Sequence, residues 1–462
     1  MRGKYLEDYL ESLDKEKLEV IVGLNNPDSL RFGFPQAKAM HPGLMPNMIE
    51  KTKHQDIWSD INSKKGEPGK RVAYIHIPFC KSKCLYCGFF QNFCNDDAEN
   101  IYIDKLIEEI KQSQSPYLET NPLQAVYLGG GTPSCLSPAN CTRLLQAIQK
   151  YLPLANDCEL TFESRINDLS NEARLEAMFA NGVNRISIGV QTFDTKLRQL
   201  MGRIDPKEKV IECLENLSKY DQAAIVIDLI YGFPTQTEEM IMEDLKIVKT
   251  IALDGFDIYH LKTHPNSPLQ KAIENKRLPP AATMAEKAVI FAKIEEFLNN
   301  GEVNRLSVCH WSKNHRERSL YNTLSKSGPS VIPFGSGAGG NLDGYSMFLE
   351  RDITSYMKRI DSGEKPIAFM TSPHWMRDLS GIVVRQIESS YLNLEQLTTS
   401  FGEEIREIES LLKIWQDRGL VTRKGDIYFL EASGRFWNAN ITQSLLECFQ
   451  GIFSNISGKN LA

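Results

Sequence analysis

Three cysteines crowded into eight residues are the most distinctive chemical feature of this sequence. They occur in the run Tyr74-Ile-His-Ile-Pro-Phe-Cys80-Lys-Ser-Lys-Cys84-Leu-Tyr-Cys87, directly after a predicted strand. A cuboidal [4Fe–4S] cluster is usually held by four cysteine thiolates. A loop with three thiolates therefore predicts a cluster whose fourth iron binds a reacting molecule. Cys80, Cys84 and Cys87 are the predicted cluster ligands.

A zinc site is the alternative for the same loop. Zinc takes four ligands in a tetrahedron, and Cys94 or His76 could supply the fourth. Zinc-binding cysteines normally come as two separated pairs, however, and His76 lies within the predicted strand. The spacing therefore favours an iron–sulfur cluster, with Cys94 as an ordinary thiol.

Polar or glycine-rich residues lie where four consecutive predicted strands end or are about to end. They are the run Gly129-Gly-Gly-Thr-Pro133, and then Glu163, Gln191 and Asp228. Successive glycines let a ligand approach the backbone closely and expose its N–H groups. Any one of these residues could be a capping or surface residue. Because the carboxyl ends of parallel strands meet at one face, the four together predict a binding site there.

The elements that must position these residues alternate along the chain as short apolar runs and longer runs of helical period. The predicted strands are Val72–Ile77, Ala125–Leu128, Glu159–Glu163, Arg185–Val190, Ala223–Ile230 and Phe256–Leu261. The predicted helices lie near Asn100–Lys111, Ser137–Tyr151, Glu172–Asn181, Pro206–Lys219, Glu238–Ile251 and Ala282–Phe297. Six successive βα units predict an α/β fold over residues 71–365, closed as a barrel or open as a part-barrel.

The regions on either side of the barrel differ from it in pattern. Residues 1–70 are polar and interrupted by prolines, which predicts an irregular extension and linker. Within residues 366–462, helical patterns at Leu394–Phe401 and Glu403–Arg418 precede a hairpin pattern that turns at Lys424-Gly425-Asp426. Helix, helix and hairpin predict a small winged-helix-like α+β domain. Its second helix is rich in glutamate, so a packing or lid role is expected instead of DNA binding.

A glycine-rich run near residue 335 resembles a dinucleotide-binding fingerprint. The run is Gly335-Ser-Gly-Ala-Gly-Gly340, and no helical pattern follows it. A dinucleotide site needs that helix. A flexible loop that approaches a ligand is predicted in its place.

Composition and charge limit the partners. The 462 residues carry 53 basic and 59 acidic side chains, a net charge of -6, which gives no general attraction for nucleic acid. The N-terminus lacks the uninterrupted apolar region of a secretory signal, and no later stretch is long and apolar enough to enter a membrane. A cytoplasmic enzyme is expected, with thiols that stay reduced.

At these motifs the chain resembles the radical S-adenosylmethionine (SAM) family that includes oxygen-independent coproporphyrinogen III dehydrogenase and the HemW haem chaperones. The motifs are Tyr74-Ile-His-Ile-Pro-Phe-Cys80, Gly129-Gly-Gly-Thr-Pro133, Gly189-Val-Gln191, Gln199-Leu-Met-Gly-Arg203 and Asp228-Leu-Ile-Tyr-Gly232. The resemblance implies a radical SAM partial (β/α)6 barrel, followed by the C-terminal domain that the pattern predicts. It also implies a [4Fe–4S] cluster that reduces SAM to a 5′-deoxyadenosyl radical, with an electron donor such as flavodoxin or ferredoxin.

The resemblance also implies two SAM molecules, whose ligands are carried over onto matching positions. One SAM is expected near Tyr74, Tyr86, Gly130 and Glu163. A second is expected near Gly131, Thr132, Gln191, Arg203, Asp228 and the backbone of Lys262.

Within the family the chain is similar to the ChuW/HutW branch of anaerobic haem-degrading methyltransferases. The run Ala39-Met-His-Pro-Gly-Leu-Met45 stands in an N-terminal extension, and Arg316-Glu-Arg-Ser-Leu-Tyr-Asn322 replaces the haem motif of HemW. This branch implies radical methyl transfer to haem, ring opening to a linear tetrapyrrole and release of iron. A HemW-like haem carrier and a coproporphyrinogen III dehydrogenase are the alternatives. Because haem offers an iron and two propionates, the predicted substrate contacts are His310, His315, Arg316, Arg318, Tyr321 and Asn322.

Overall fold

The N-terminal stretch is largely helical, which corrects the irregular extension predicted for residues 1–70. The computed structural model describes residues 4–38, 42–44, 47–89, 92–265 and 267–457. The first helices are α1 (Lys4–Glu11), α2 (Lys15–Val22), α3 (Ser29–Phe32) and α4 (His54–Ser63), with a 3-10 turn at Lys51–Lys53. Leu6, Ile21 and Val22 are buried. Short amphipathic runs therefore become helices because a tertiary partner covers their apolar faces.

The predicted partial barrel is confirmed. Its strands and their neighbours are β1 (Arg71–Ile77), β2 (Phe79–Cys80), β3 (Asn92–Phe93), β4 (Leu123–Gly130), β5 (Leu154–Ser164), β6 (Arg185–Gln191), β7 (Ala224–Tyr231) and β8 (Gly255–His260). The alternating helices are α5 (Asp96–Gln112), α6 (Pro116–Thr120), α7 (Pro138–Tyr151), α8 (Ile166–Leu169), α9 (Glu172–Ala180), α10 (Thr195–Leu200), α11 (Lys207–Ser218), α12 (Glu238–Thr250), α13 (Pro268–Glu274) and α14 (Met284–Leu298). The strands β1, β4, β5, β6, β7 and β8 pair in that order, and each pair is parallel.

Local sequence explains where these elements begin. The side chain of Ser137 accepts a hydrogen bond from the backbone N–H of Asn140, and Pro138 occupies the first turn of α7. β1 is buried along nearly its whole length, as expected for a parallel strand covered on both faces. Strands that read as continuous apolar runs therefore end where the first polar or glycine residues appear.

After α14 the chain reverses direction and then returns to the other edge of the barrel. The elements are β9 (Asn304–Arg305), β10 (His310–Ser312), α15 (Leu320–Ser325), β11 (Ser330–Phe334), β12 (Gly339–Leu342), β13 (Tyr345–Leu349), α16 (Ile353–Asp361) and β14 (Ile367–Thr371). β10 is antiparallel to β8, with His310 opposite Asp257. β11 is parallel to β1. The residues that directly follow β10 consequently lie near the amino ends of the barrel strands.

The glycine-rich run predicted as a flexible loop contains regular structure. Gly339 and Gly340 belong to β12, which is antiparallel to both β11 and β13. Gly335 has φ +91°, and a Cβ there would lie 2.4 Å from the carbonyl oxygen of His76. The glycine therefore allows a close backbone crossing, which explains its presence without a ligand.

The C-terminal region has the predicted order of helix, helix and hairpin. Its elements are α17 (Arg377–Glu388), β15 (Tyr391–Asn393), α18 (Leu394–Phe401), a 3-10 segment (Glu403–Ile408), α19 (Glu409–Asp417), β16 (Val421–Lys424), β17 (Ile427–Leu430), α20 (Ala432–Phe436) and α21 (Asn438–Ser457). β16 and β17 form the hairpin, and β15 extends it. The buried core of this region also includes Leu6, Ile21 and Val22 of α1 and α2. The indole N–H of Trp415 donates to the carbonyl of Val22 at 3.0 Å.

Candidate active site

A cavity of about 1090 Å³ brings together most of the predicted site residues. Its walls include Gly130, Gln191 and Lys262, which end or follow strands β4, β6 and β8. The predicted residues that line it are Cys80, Cys84, Tyr86, Cys87, Gly130, Gly131, Thr132, Glu163, Gln191, Arg203, Asp228, Lys262, His310, Tyr321 and Asn322. Tyr74 is not part of this lining; its ring stacks on that of Tyr127, with centroids 6.3 Å apart.

The three cysteine thiols share one wall of the cavity and have the surroundings of metal-binding thiolates. The Arg165 guanidinium donates to Sγ of Cys84 at 2.7 Å, and the backbone N–H of Phe89 donates to Sγ of Cys87 at 3.3 Å. Burial raises the pKa of the Cys80 thiol, although its contact with Thr132 lowers it. Cationic and N–H donors stabilise sulfur that carries negative charge. The donor set therefore fits a cluster bound through these three residues.

A zinc site is not supported by the surroundings of the fourth candidate ligand. Cys94 lies 3.5 Å from a carboxylate oxygen of Glu99 and contacts the carbonyl of Cys135, outside the cavity lining. These contacts favour the interpretation of Cys94 as an ordinary thiol, which stays a prediction.

Glu163 organises the glycine-rich end of β4. Its carboxylate accepts from the Tyr127 hydroxyl at 2.7 Å and from the backbone N–H of Gly130 at 3.1 Å. Burial raises the pKa of Glu163, and these two hydrogen bonds partly oppose the shift. Gly130 has φ +112°, and a Cβ there would lie within 2.7 Å of the His76 ring. The glycine is required by this close approach, which leaves the β4 loop open towards the cavity.

A second group of polar residues lies farther along the sheet. The Arg203 guanidinium donates to the Tyr86 hydroxyl at 2.9 Å and to the carbonyl of Gly189 at 2.6 Å. Gln191 has φ 72°, in the left-handed region, and its amide oxygen is buried without a hydrogen-bond partner among the described residues. Burial and the nearby Asp257 raise the pKa of Asp228 well above the usual range. Polar groups in this position are suited to form hydrogen bonds with a polar ligand.

The structure separates the predicted substrate residues into two groups. Tyr321 and Asn322 line the cavity, and the Tyr321 ring packs against that of Tyr127 in a tilted arrangement, with centroids 4.8 Å apart. His315, Arg316 and Arg318 are not brought to this cavity, which corrects their expected position. They line a different depression with Arg185 and Ala224, the first residues of β6 and β7. The reason is the antiparallel direction of β10, which carries the following residues to the amino ends of the strands.

The surroundings of Arg316 and Arg318 agree with a surface position. Arg316 pairs with Asp221, and Arg318 donates to the carbonyl of Asp157 at 3.0 Å. The side chains of both arginines are more than two-fifths exposed. They therefore pair at the protein surface, away from the cysteine loop.

His310 reaches the cavity wall but is held in a buried ionic network. Its ring nitrogens lie 2.8 Å from Asp257 and 3.1 Å from Glu317, and Glu317 pairs with Arg185 at 2.9 Å. Burial opposes the charged form of His310, but the carboxylates of Asp257 and Glu317 outweigh burial and raise its pKa to about 9. The cationic ring, with both nitrogens engaged, is a poor ligand for a haem iron.

Sequence reasoning missed the part of the cavity wall that the C-terminal region contributes. Helix α17 lines it with Arg377, Ser380, Gly381, Val384, Arg385 and Glu388. Their spacing of three and four residues was a usable signal for one helix face. Pro42 and Leu44 also line the cavity. They belong to the N-terminal run 39–45, of which residues 39–41 and 45 lie outside the described residues.

The cysteine loop, the strand-end residues and the parallel part-barrel define the class of protein. The chain belongs to the radical SAM superfamily, whose family model matches residues 74–248. Members of this superfamily use a [4Fe–4S] cluster and SAM as cofactors.

Comparison with known proteins shows which radical SAM enzymes the chain is similar to. The chain is 37% identical to anaerobilin synthase of Escherichia coli O157:H7 over 425 residues, 90% of this chain and 93% of that protein. It is 30% identical to the haem chaperone HemW of Lactococcus lactis, over 75% of this chain and 91% of that one. The crystal structure of coproporphyrinogen III oxidase (HemN) from Escherichia coli has the same fold, with a TM-score of 0.72 and 20% identity over 86% of this chain and 94% of that one. The chain is thus a radical SAM enzyme of the HemN, HemW and anaerobilin synthase group.

No described helix combines the length and the apolar character that crossing a bilayer requires.

Proposed function

We propose that this enzyme methylates haem at a ring carbon under anaerobic conditions and opens the macrocycle, which yields a linear tetrapyrrole and releases iron. The similarity to anaerobilin synthase supports this, because it extends over 90% of the chain. It therefore includes the C-terminal wall of the cavity as well as the cysteine loop. The observation that carries the proposal is that one cavity is lined by both.

In this proposal Cys80, Cys84 and Cys87 hold the cluster and leave one iron for SAM. The bound cluster and SAM supply radical chemistry and the methyl group. The residues of the chain tune and position them. The Arg165 guanidinium, which donates to Sγ of Cys84 at 2.7 Å, would stabilise the negative charge of this ligand once it is bound to the cluster. A flavodoxin or ferredoxin in the cytoplasm is the proposed source of electrons.

The strand-end residues have proposed roles in binding SAM. Tyr86, Gly130 and Glu163, with Tyr74 behind them, would surround the SAM that binds the cluster. Gly131, Thr132, Gln191, Arg203, Asp228 and the backbone of Lys262 would surround a second SAM. The buried amide oxygen of Gln191 has no hydrogen-bond partner among the described residues, and SAM supplies hydroxyl and ammonium donors.

The substrate side of the proposal differs from the sequence-based expectation. Tyr321 and Asn322 remain candidates for contact with haem because they line the cavity. His310 has a positioning role in the barrel wall, and His315, Arg316 and Arg318 take no part. The volume of about 1090 Å³ is slightly above the usual range for small-molecule sites, in keeping with a macrocycle bound beside SAM.

A haem carrier without turnover is the second candidate function, favoured by the 30% identity to HemW. Anaerobic incubation of the reconstituted enzyme with haem, SAM and a low-potential reductant separates the two, with products followed by mass spectrometry. The proposal predicts a methylated, opened tetrapyrrole and free iron. Haem that stays intact while SAM is cleaved would refute it, and stoichiometric transfer of intact haem would favour the carrier. Carbon dioxide and a vinyl product from coproporphyrinogen would indicate the dehydrogenase.

A further inference from the structure

Helix α17 presents one face to the cavity and the other to the C-terminal core. The cavity face contains Arg377, Ser380, Gly381, Val384, Arg385 and Glu388. The opposite face contains Leu379, Val383 and Ile387, each at most 3% exposed. Because the apolar face is anchored in the core, the backbone of α17 holds the cavity face in a fixed position.

Two arginines on this face lack an acidic partner across the cavity. The Arg385 guanidinium makes no hydrogen bond or ion pair with any residue in the described ranges. Arg377 contacts its sequence neighbour Asp378 at 3.3 Å, and the side chains of both are exposed by more than two-fifths. The Arg377 guanidinium lies over Gly344, another residue of the cavity wall, where a Cβ would collide with it.

Other cations of the same wall are already paired. Arg435 binds Glu295 at 2.6 Å. Lys326 binds Glu388 at 3.0 Å, beside the close crossing of Gly381 and Gly328. An anionic ligand that enters the cavity from this side therefore meets Arg385, which has no partner among the described residues, and Arg377, whose exposed guanidinium is paired with its sequence neighbour Asp378.

We propose that Arg385 and Arg377 bind the two carboxylates at one edge of the tetrapyrrole substrate. This inference rests on the proposed function and names the contacts that orient its substrate. The two positions are eight residues apart, about 12 Å along a helix, and each guanidinium is on a long stem that can converge on its carboxylate. The residues between them on this face are small and leave room beside the helix: Ser380, Gly381 and Val384. Arginine binds carboxylates through two parallel hydrogen bonds.

The anchors orient the macrocycle as well as hold it. With its acidic edge at α17, the opposite edge of the ring points into the cavity that the cysteine loop and strand ends also line. A planar ring held by two carboxylates has little freedom to rotate. The arginines therefore select which ring carbon faces the reacting end of the site.

The test is an anaerobic haem titration of the full-length protein, followed by the absorbance of bound haem. The probes are haem and haem dimethyl ester, in which both carboxylates are masked. The variants are Arg385→Gln, Arg377→Gln and the conservative Arg385→Lys, with Arg318→Gln as the matched control from the far end of the barrel. Because both arginines of α17 are exposed, their replacement leaves folding intact.

We expect Arg385→Gln and Arg377→Gln each to weaken haem binding about tenfold or more. Arg385→Lys should recover part of the loss, and Arg318→Gln should bind as the wild type does. All the proteins should bind the dimethyl ester with equal affinity. The inference would be overturned if both glutamine variants bound haem as tightly as the wild type does. It would also be overturned if these variants lost as much affinity for the dimethyl ester as for haem, or if the wild type showed no saturable haem binding. Haem that binds with this pattern but is never opened would instead refute the proposed function and leave the anchors supported.

Discussion

Replacing Glu317 by glutamine tests the buried network that holds His310. The Glu317 side chain is fully buried and lies 2.9 Å from Arg185, itself only 3% exposed, and 3.1 Å from His310. Burial would raise the pKa of Glu317, but Arg185 and His310 outweigh burial and lower it to about 2. The carboxylate is therefore charged at neutral pH and compensates two buried cations.

The magnitude follows from this arrangement. Removal of one partner from a buried ion pair leaves an uncompensated charge and costs about 3–5 kcal/mol. Glutamine retains a hydrogen-bonding group, so we expect a loss of about 3 kcal/mol in the free energy of unfolding. That is a large share of the roughly 5–15 kcal/mol by which domains are stable. The measurement is urea-induced unfolding of the reduced protein, followed by circular dichroism.

The neighbouring Arg318→Gln variant is the control. Arg318 is 44% exposed, and its partner Asp157 is 73% exposed. Such surface pairs contribute about 0–1 kcal/mol. If both variants unfold at the same urea concentration as the wild type, the network does not stabilise the barrel and the assigned role of His310 is wrong.

The same network predicts a pH dependence with a definite sign. The pKa of folded His310, about 9, lies above its value of about 6.5 in an unfolded chain. The charged ring therefore stabilises the fold fully below about pH 6.5, and this contribution is lost as the pH rises through about 9. The free energy of unfolding is measured against pH for the wild type and for His310→Asn, and the difference between the two curves gives the contribution of the charged ring. A difference that stays constant from pH 6.5 to pH 9.5 would contradict the geometry.

Three further predictions concern the cysteine loop and the end of β4. Cys84→Ala should abolish the visible sulfur-to-iron absorbance and SAM cleavage after reconstitution. Retained SAM cleavage would show that other residues hold the cluster. Glu163→Gln should weaken SAM binding, measured by equilibrium dialysis, while the cluster absorbance persists. The reason is that the contacts of Glu163 with Tyr127 and Gly130 shape the loop after β4. An unaltered affinity for SAM would show that Glu163 is not part of the binding site. Gly130→Ala should lower the free energy of unfolding by at least about 1–2 kcal/mol, since its φ of +112° and the adjacent His76 ring leave no room for a Cβ; an unchanged urea midpoint would contradict this.

The parts of the fold that were predictable from sequence depend on local pattern. The six parallel strands read as apolar runs because both faces of each are covered. The positions of Glu163, Gln191 and Asp228 followed from topology, since parallel strands end at one face. All three line the same cavity as the cysteine loop.

The parts of the fold that could not be predicted depend on the direction of a strand within the sheet and on contacts between segments that are far apart in the sequence. Nothing local in His310–Ser312 indicates that β10 runs antiparallel to β8, yet this reversal takes Arg316 and Arg318 to the far end of the barrel. The helices α1 and α2 are short and depend on the C-terminal core, so residues 1–70 alone gave a weak signal. The glycine at position 335 serves a backbone crossing with His76, which only the folded chain reveals.

The central claim is that three thiolates near residue 80 hold a cluster with one iron available to SAM. Electron paramagnetic resonance of the reduced, anaerobically reconstituted protein, recorded before and after SAM is added, tests it most directly. We expect the signal of a reduced [4Fe–4S] cluster that changes when SAM binds. A protein that takes up zinc in place of iron, or a cluster signal that SAM leaves unaltered, would contradict the claim.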